Sequence, residues 1–313
     1  MNFKNIAPIG YGLLLLGLVV APFLGAYPVF VMKLMCFALF ASAFNLLLGF
    51  TGLLSFGHAA FLGGAAYVTG YAIKGWGFTP ELAMLAGTAG GALLGLIFGW
   101  LAIRRQGIYF SMITLALAQL VYFVAVQIPA TGGEDGLQGV PRGHLFGVID
   151  LSNNIAMYYL VFAVFCIGFF IIYRAIHSPF GQILKAIREN EPRAISLGYD
   201  VAKFKLLAFV LSAALAGTAG ATKTLVFQLA SLTDVHWHMS GEVVLMTLLG
   251  GLGTVLGPLV GAATIVSLQS ELADSVGSWV TVIMGVIFVI CVLLFRRGIV
   301  GELQALIQRA GIR

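Results

Sequence analysis

The sequence predicts an all-α, polytopic membrane bundle, a single transmembrane domain over residues 1–313 with about ten spanning helices, several of them short or broken. Three observations carry that prediction. Of 313 residues, 60% are hydrophobic and only 9% charged, against roughly 25% charged in an ordinary soluble domain. Apolar runs of about 20 residues, enough to cross a hydrocarbon core of roughly 30 Å, recur from end to end. Glycine occurs 40 times, nearly twice its usual share of about 7%, and small residues let helix backbones approach closely in lipid. In lipid every backbone polar group needs an internal partner, so such runs become helices. The alternating segments of about 10 residues that mark barrel strands are absent.

The elements follow in chain order. Ile9–Leu24 begins behind Lys4 alone and lacks a cleavage box, so it reads as a retained span rather than a removed signal. Val29–Leu48 runs unbroken into the bend LLGFTG at Leu47–Gly52. Ala59–Ile73 is a short span rich in small residues. Leu82–Ile103 places Gly87, Gly91, Gly95 and Gly99 at every fourth position, one packing ridge on one helix face. Ile108–Ile128 and Ile155–Tyr173 flank a long glycine-rich loop, Pro129–Asn154. Leu206–Phe227 follows a second long loop, 175–205. Glu242–Leu252 and Val255–Leu268 are short and share the bend LLGGLG at Leu248–Gly253, a faint echo of LLGFTG that would suit related halves; chance similarity of glycine-rich turns explains it equally well. Trp279–Phe295 closes the set, and 296–313 forms a basic amphipathic tail on the inner surface.

Charge fixes the expected orientation. With both termini cytoplasmic, only Lys74 and Arg142, plus Lys33 and Lys223 near outer helix ends, fall on the outer side out of 17 Lys and Arg, a strong positive-inside bias. An even number of crossings follows. The bias also requires Glu242–Leu252 and Val255–Leu268 to be two segments, since a single crossing would carry Arg296 and Arg297 outside.

No catalytic set emerges. Gly251–Gly257 (GLGTVLG) is one residue too long for a dinucleotide fingerprint, and Lys223-Thr224 lacks the glycine that precedes the lysine of a phosphate loop. No serine-elbow motif is present. His236 and His238 read as interfacial loop histidines rather than a metal pair. Cys36, Cys166 and Cys291 sit in apolar runs as small hydrophobes. Neither a cofactor nor a metal is expected, and nothing points to nucleic acid. All 12 acids fall in loops or near helix ends. A charge at mid-membrane costs about 2.5–3.5 kcal/mol on insertion scales, and ion-coupled carriers keep one there as their proton or sodium handle. The energy source is therefore expected elsewhere.

The loop 175–205 offers a place to receive it. Pro179 and Gly181 break the chain, Gln182–Glu189 has one apolar face and one charged face, and Pro192 starts a second short helix, Arg193–Leu197, ended by Gly198. Two amphipathic helices on the inner face form a docking knob; the alternative is a solvated loop that only sets topology.

SPFGQILKAIRENEPRAISLGYDVAKFKLLAFVLSAALAGTAGA, from Ser178 onward, resembles the inner loop and following helix of branched-chain amino acid ABC transporter permeases. So do NLLLGFTGLLSFGHAAFLGGAAYVTG, GIYFSMITLALAQ, TGGEDGLQGVP and LMTLLGGLGTVLGPLVGA, in order along nearly the whole chain. The likeness is to the M-type subunit, partner of a second permease. It implies a bacterial inner-membrane assembly of two permease subunits (a paralogue, or a homodimer), two ABC ATPase subunits beneath, and a periplasmic substrate-binding protein outside, with the lipid bilayer around it. The coupling segment would then be Gln182–Gly198, its contacts drawn from Gln182, Lys185, Arg188, Glu189, Asn190, Arg193 and Gly198. Lys223 departs from the family, where an uncharged residue is more usual; it either snorkels to headgroups or sits in the pathway.

Broken helices mark the expected pathway, because they expose backbone groups and aim helix dipoles at a solute. Asn45, Thr51, Ser55 and His58 flank one bend, Thr247 and Thr254 the other, and Thr114 and Gln119 are polar groups inside the fifth span. The alternative for each is a hydrogen bond between helices, worth about 0.6 kcal/mol. The solute is expected to be a branched-chain or related small amino acid, with urea or a short amide as runner-up. A self-sufficient channel or secondary carrier is disfavoured by the missing mid-span acid, and an intramembrane enzyme by the missing catalytic pair.

Overall fold

The apolar runs fold as helices whose starts and stops are written locally. The computed structural model describes residues 17–23, 25, 27–294 and 298–302. Of the expected span Ile9–Leu24 only residues 17–23 are described; residues 9–16 and 24, Arg296, Arg297 and most of the expected tail 296–313 lie outside the described residues. In chain order the helices are α1 Pro28–Thr51, α2 His58–Lys74, α3 Pro80–Ala102, α4 Ile108–Gln127, α5 Asn154–His177, α6 Pro179–Glu189, α7 Glu191–Ser196, α8 Val201–Phe227, α9 Leu232–Val235, α10 Trp237–Gly250, α11 Gly257–Val276 and α12 Val280–Leu294. Proline occupies the first turn of α1, α3, α6, α7 and α11, where its missing N–H leaves no bond unmade. Asn153, Asn190 and Asp200 accept backbone N–H groups at the starts of α5, α7 and α8, each cap worth about 1 kcal/mol. A hydrogen bond to Lys203 also holds the Asp200 carboxyl below its usual pKa.

Among the described residues, five helices (α1, α3, α4, α5 and α8) are long and apolar enough to cross a membrane. The chain is a multi-pass membrane protein. Helices α2 and α10, with 17 and 14 residues, fall short of the roughly 20 residues a full crossing needs, so the bundle does contain short members.

Burial sorts the helices. α1 is enclosed almost throughout, while α3, α4 and α5 bury about a third of their apolar windows and turn Leu85, Leu93, Trp100, Leu120, Phe123 and Phe170 outward. A helix apolar all round with one face uncovered suits lipid on that face. α8 runs against α1, α2 and α3. The glycine ridge is what lets it: a Cβ on Gly91 would stand 2.9 Å from Gly217 Cα, and one on Gly95 only 2.3 Å from Ala213 Cβ. Thr88 and Thr218 hydrogen-bond across the same seam at 3.1 Å. α10 and α11 are two separate helices folded back on each other, since Gly250 meets the Gly257 carbonyl and Gly261 meets the Met246 carbonyl. After α12 the chain returns to this bend, with Gly298 against the Gly251 backbone.

At the expected outer end, the loop after α4 is stapled to the connection after α8. Strand β1 (Leu137–Gln138) pairs antiparallel with β4 (Leu229–Ala230), and β2 (His144–Leu145) with β3 (Ile149–Asp150). Arg142 reaches three acceptors: Nε donates to Leu225 O at 3.1 Å, one terminal nitrogen to Val226 O at 2.7 Å, the other to Asn154 Oδ1 at 2.9 Å. Two of these are last-turn carbonyls of α8, groups a helix cannot satisfy itself, and a cation there also complements the helix dipole. Burial lowers the Arg142 pKa from its usual value.

Candidate functional site

Glycine bends at the expected inner end are drawn together. α1 stops at Gly52, whose φ of 76° suits a residue without Cβ and whose N–H bonds Leu48 O. Asn45, buried in α1, donates from Nδ2 to Thr254 O at 2.8 Å and accepts Gly253 N–H at 3.0 Å on Oδ1. Thr254 in turn donates to Gly251 O at 2.8 Å and accepts from Gly257 N at 3.0 Å, which starts α11. Asn45 thus joins the two bends across the chain. Gly49 makes room for this, since a Cβ there would fall 2.7 Å from Gly253 N.

Arg188 of α6 completes the cluster by donating to the Gly49 carbonyl, an unpaired last-turn acceptor of α1. A Cβ on Gly52 would meet its stem at 3.3 Å, and one on Gly253 its guanidinium at 3.2 Å. Lys185 lies 5.7 Å over the Phe50 ring, a cation–π distance. Helix α6 therefore rests directly on both bends, and α7 packs behind it. Lys205 of α8 and Glu191 of α7 form an ion pair at 2.7 Å with the lysine almost wholly enclosed, and Ile187, Ala194 and Val201 make a small core beneath. Asn190 caps α7 through Arg193 N at 3.0 Å, and Gly198 turns the chain at φ 87°. Gln182, Glu189 and Arg193 remain exposed. Within the expected coupling set all but Lys185 are exposed; the side chains of Arg188 and Asn190 also bond inside the chain, to Gly49 O and Arg193 N.

The remaining polar candidates are tied between helices. His58, fully buried at the start of α2, has Nε2 2.8 Å from Ser212 Oγ of α8, and Ser212 donates its hydroxyl proton to Ala43 O of α1 at 2.6 Å. A hydroxyl has one proton, so Nε2 must carry the ring hydrogen. Phe44, Phe61 and Phe209 surround the ring edge-on at 4.9, 5.2 and 6.1 Å. Ser55 accepts Gly57 N–H at 3.1 Å. Thr114 accepts from Phe56 N at 3.2 Å, fixing the link between α1 and α2 against α4. Thr51 and Thr247 bond back to their own helices, at Leu47 O and at Val243 O and Val244 O. Gln119 stands apart, half-exposed in an apolar groove on α4 with Leu120 and Phe123. The structure gathers Asn45, Thr254 and Arg188 at one point, places Thr51, Ser55, His58, Thr114 and Thr247 inside the bundle, and leaves Gln119 outside both.

Sequence reading missed Ser212, Ser240, which accepts Ala59 N–H at 2.9 Å, and the ion pair between Lys223 and buried Asp234. The last had a signal: Asp234 follows a lysine that departs from the family by only 11 positions. His236 and His238 adjoin each other, but among the described residues no three His, Cys, Asp or Glu gather to hold a metal.

Residues 29–292 match the family model described as branched-chain amino acid transport system / permease component. The chain is 26% identical over 268 residues to the high-affinity branched-chain amino acid transport system permease protein LivM of Escherichia coli, and 27% identical to that of Salmonella typhimurium. Each alignment takes in 77% of this chain and 62% of the relative, so the chain spans under two thirds of those proteins' length. It is also 28% identical over 186 residues to the ribose import permease protein RbsC of Bacillus subtilis, 57% of this chain and 55% of that one. No solved structure matches. With a polytopic helical bundle, paired glycine bends and a family match that runs from α1 into α12, this chain belongs to the branched-chain amino acid transport permease family.

Proposed function

We propose that this chain is the non-catalytic translocation subunit of an ATP-driven importer that carries branched-chain or related small amino acids into the cytoplasm. The observation that carries the reading is the family match over residues 29–292. The names of the LivM relatives support the solute class. Partners are a second permease, two ABC ATPases and a substrate-binding protein, in a bacterial inner membrane with both termini cytoplasmic. About ten crossings satisfy both this sidedness and the separate α10 and α11.

In this reading ATPase subunits dock on the outward face of α6–α7, through Gln182, Glu189 and Arg193, and Arg188 passes their movement to the bends. Interfaces between helices of this kind respond by small shifts of packed elements rather than by bending. The pathway follows the line of Asn45, Thr254, Thr247 and His58, opened when the bends part.

Docking and transmission separate by mutation. Charge reversal at the two exposed positions, Glu189→Lys with Arg193→Glu, is expected to weaken copurification of the ATPase by at least about tenfold while membrane insertion is unchanged. Normal copurification of the ATPase with that double variant would remove α6–α7 as the docking surface.

A further inference from the structure

Away from the bends, at the expected outer end, an open cleft of about 450 Å³ lies between α1, α8, α10 and α11. Its size is in the range of small-molecule sites, and its lining is unlike the rest of this apolar chain. Lys33 of α1, Lys223 of α8, Asp234 of α9 and Glu242 of α10 all line it. Charged side chains within spanning helices are costly and are kept where they serve a solute or one another.

The four charges divide into two kinds. Lys223 and Asp234 are ion-paired, with Asp234 almost wholly enclosed, and Lys223 also lies 5.3 Å over the Phe37 ring. That pair is already satisfied within the chain. Lys33 and Glu242 stand in the same cleft, half-buried on facing helices, and among the described residues neither belongs to an ion pair within 4.0 Å. Gln269 of α11 adds an amide to the lining, and Phe37 and Met239 supply apolar walls. Two lysines and two acids sum to zero, so the cleft neither attracts a simple anion nor a simple cation over its opposite.

We propose that this cleft is a binding site for a zwitterionic α-amino acid, with Lys33 receiving the carboxylate, Glu242 the ammonium group, and Phe37 and Met239 the aliphatic side chain. Lys223 and Asp234 position it: their pair closes the back and holds α8 against the connection that carries α9. The inference rests on the reading of this chain as an amino-acid permease and adds to it a location and a means of recognition. A solute entering the cleft replaces hydration on two charges at once, and a molecule with one charge would leave the other side chain uncompensated.

The test is equilibrium dialysis of labelled leucine against the purified full chain, with leucine uptake by the assembled transporter as a separate arm. Leucine is expected to bind and to be displaced by unlabelled leucine, while 4-methylpentanoate, 3-methylbutylamine and ribose displace it at least about tenfold less well. Lys33→Gln and Glu242→Gln should each weaken binding by about tenfold or more without lowering the thermal melting point, because neither side chain is bonded to Lys223 or Asp234. Equal displacement by either singly charged analogue, displacement by ribose, or unchanged affinity in both variants would overturn the cleft assignment. Leucine uptake by the assembled transporter without any binding to the chain would overturn it while leaving the proposed function standing. Absence of leucine uptake with all partners present would reject the function, and dialysis would still decide the cleft.

Discussion

Replacing Gly261 with alanine is expected to unseat the α10–α11 hairpin. The added methyl would stand 1.8 Å from the Met246 carbonyl oxygen and 2.9 Å from Gly250 N, and both neighbours are backbone, so no side chain can rotate away. The helices must separate, at a cost of about 3 kcal/mol or more, a large part of a total stability of roughly 5–15 kcal/mol. The loss would spread, because this hairpin carries the Gly251–Thr254 bend that Asn45 holds. Size-exclusion recovery and thermal melting in detergent check it. Gly241→Ala is the control: it lies on the same α10 helix with nothing within 4 Å of its Cβ, and it is expected to melt at or slightly above wild type, since alanine favours a helix interior by about 1 kcal/mol. Equal melting of the two variants would contradict the close approach of α10 and α11.

The second large effect belongs to Arg188→Ala. The guanidinium supplies the partner for the Gly49 carbonyl at the end of α1, where a positive group is also favoured by the helix dipole. Removing it leaves a last-turn acceptor without its charged donor, at about 1.5–3 kcal/mol, and frees α6–α7 from the bends. ATP-driven uptake is expected to fall more than about tenfold while the ATPase still copurifies, because Gln182, Glu189 and Arg193 keep their exposed positions. Arg188→Lys should recover part of the uptake, for it restores the charge but not the planar fork. Uptake at wild-type rate with alanine in place would mean that α6 does not act through the bends.

These two sites show what the sequence could and could not reveal. Helix positions were legible because they depend on local quantities: run length, proline at a first turn, glycine just past a last turn. Val29–Leu48 was short by a turn at its inner end, since Thr51, tied back to Leu47 O, continues the helix to Gly52. The separation of α10 from α11 was legible from charge sidedness. The α6–α7 pair was legible because its amphipathic spacing and Pro192 are local too. What those helices touch was not. Arg188 and Gly49 are 139 positions apart, and Asn45 and Thr254 are 209; no periodicity encodes such a pairing.

For the same reason His58 and Thr114 could be marked as polar groups in apolar surroundings but not assigned their partners Ser212 and Phe56 N. Arg142 entered the sequence reading only as an outer charge, yet it closes three acceptors between the outer loop, α5 and α8. Gln119 is a polar group in the same apolar run as Thr114 but lies on a different face of α4, because five positions along a helix rotate a side chain well past its neighbour. The acids are expected at loops and helix ends, and Asp234 does lie in the short α9 connection; its burial comes from long-range packing, with Lys223 paired to it and Gly63 of α2 against its backbone.

The account rests on a conduit that contributes no energy of its own. Reconstitution in liposomes measures that most directly, comparing leucine accumulation by this chain alone with accumulation by the chain together with the proposed second permease, two ATPases and binding protein, and ATP. The account predicts accumulation only in the complete set, and none on omitting the ATPases. Leucine accumulation by the bare chain, driven by an ion gradient or by nothing added, would contradict it.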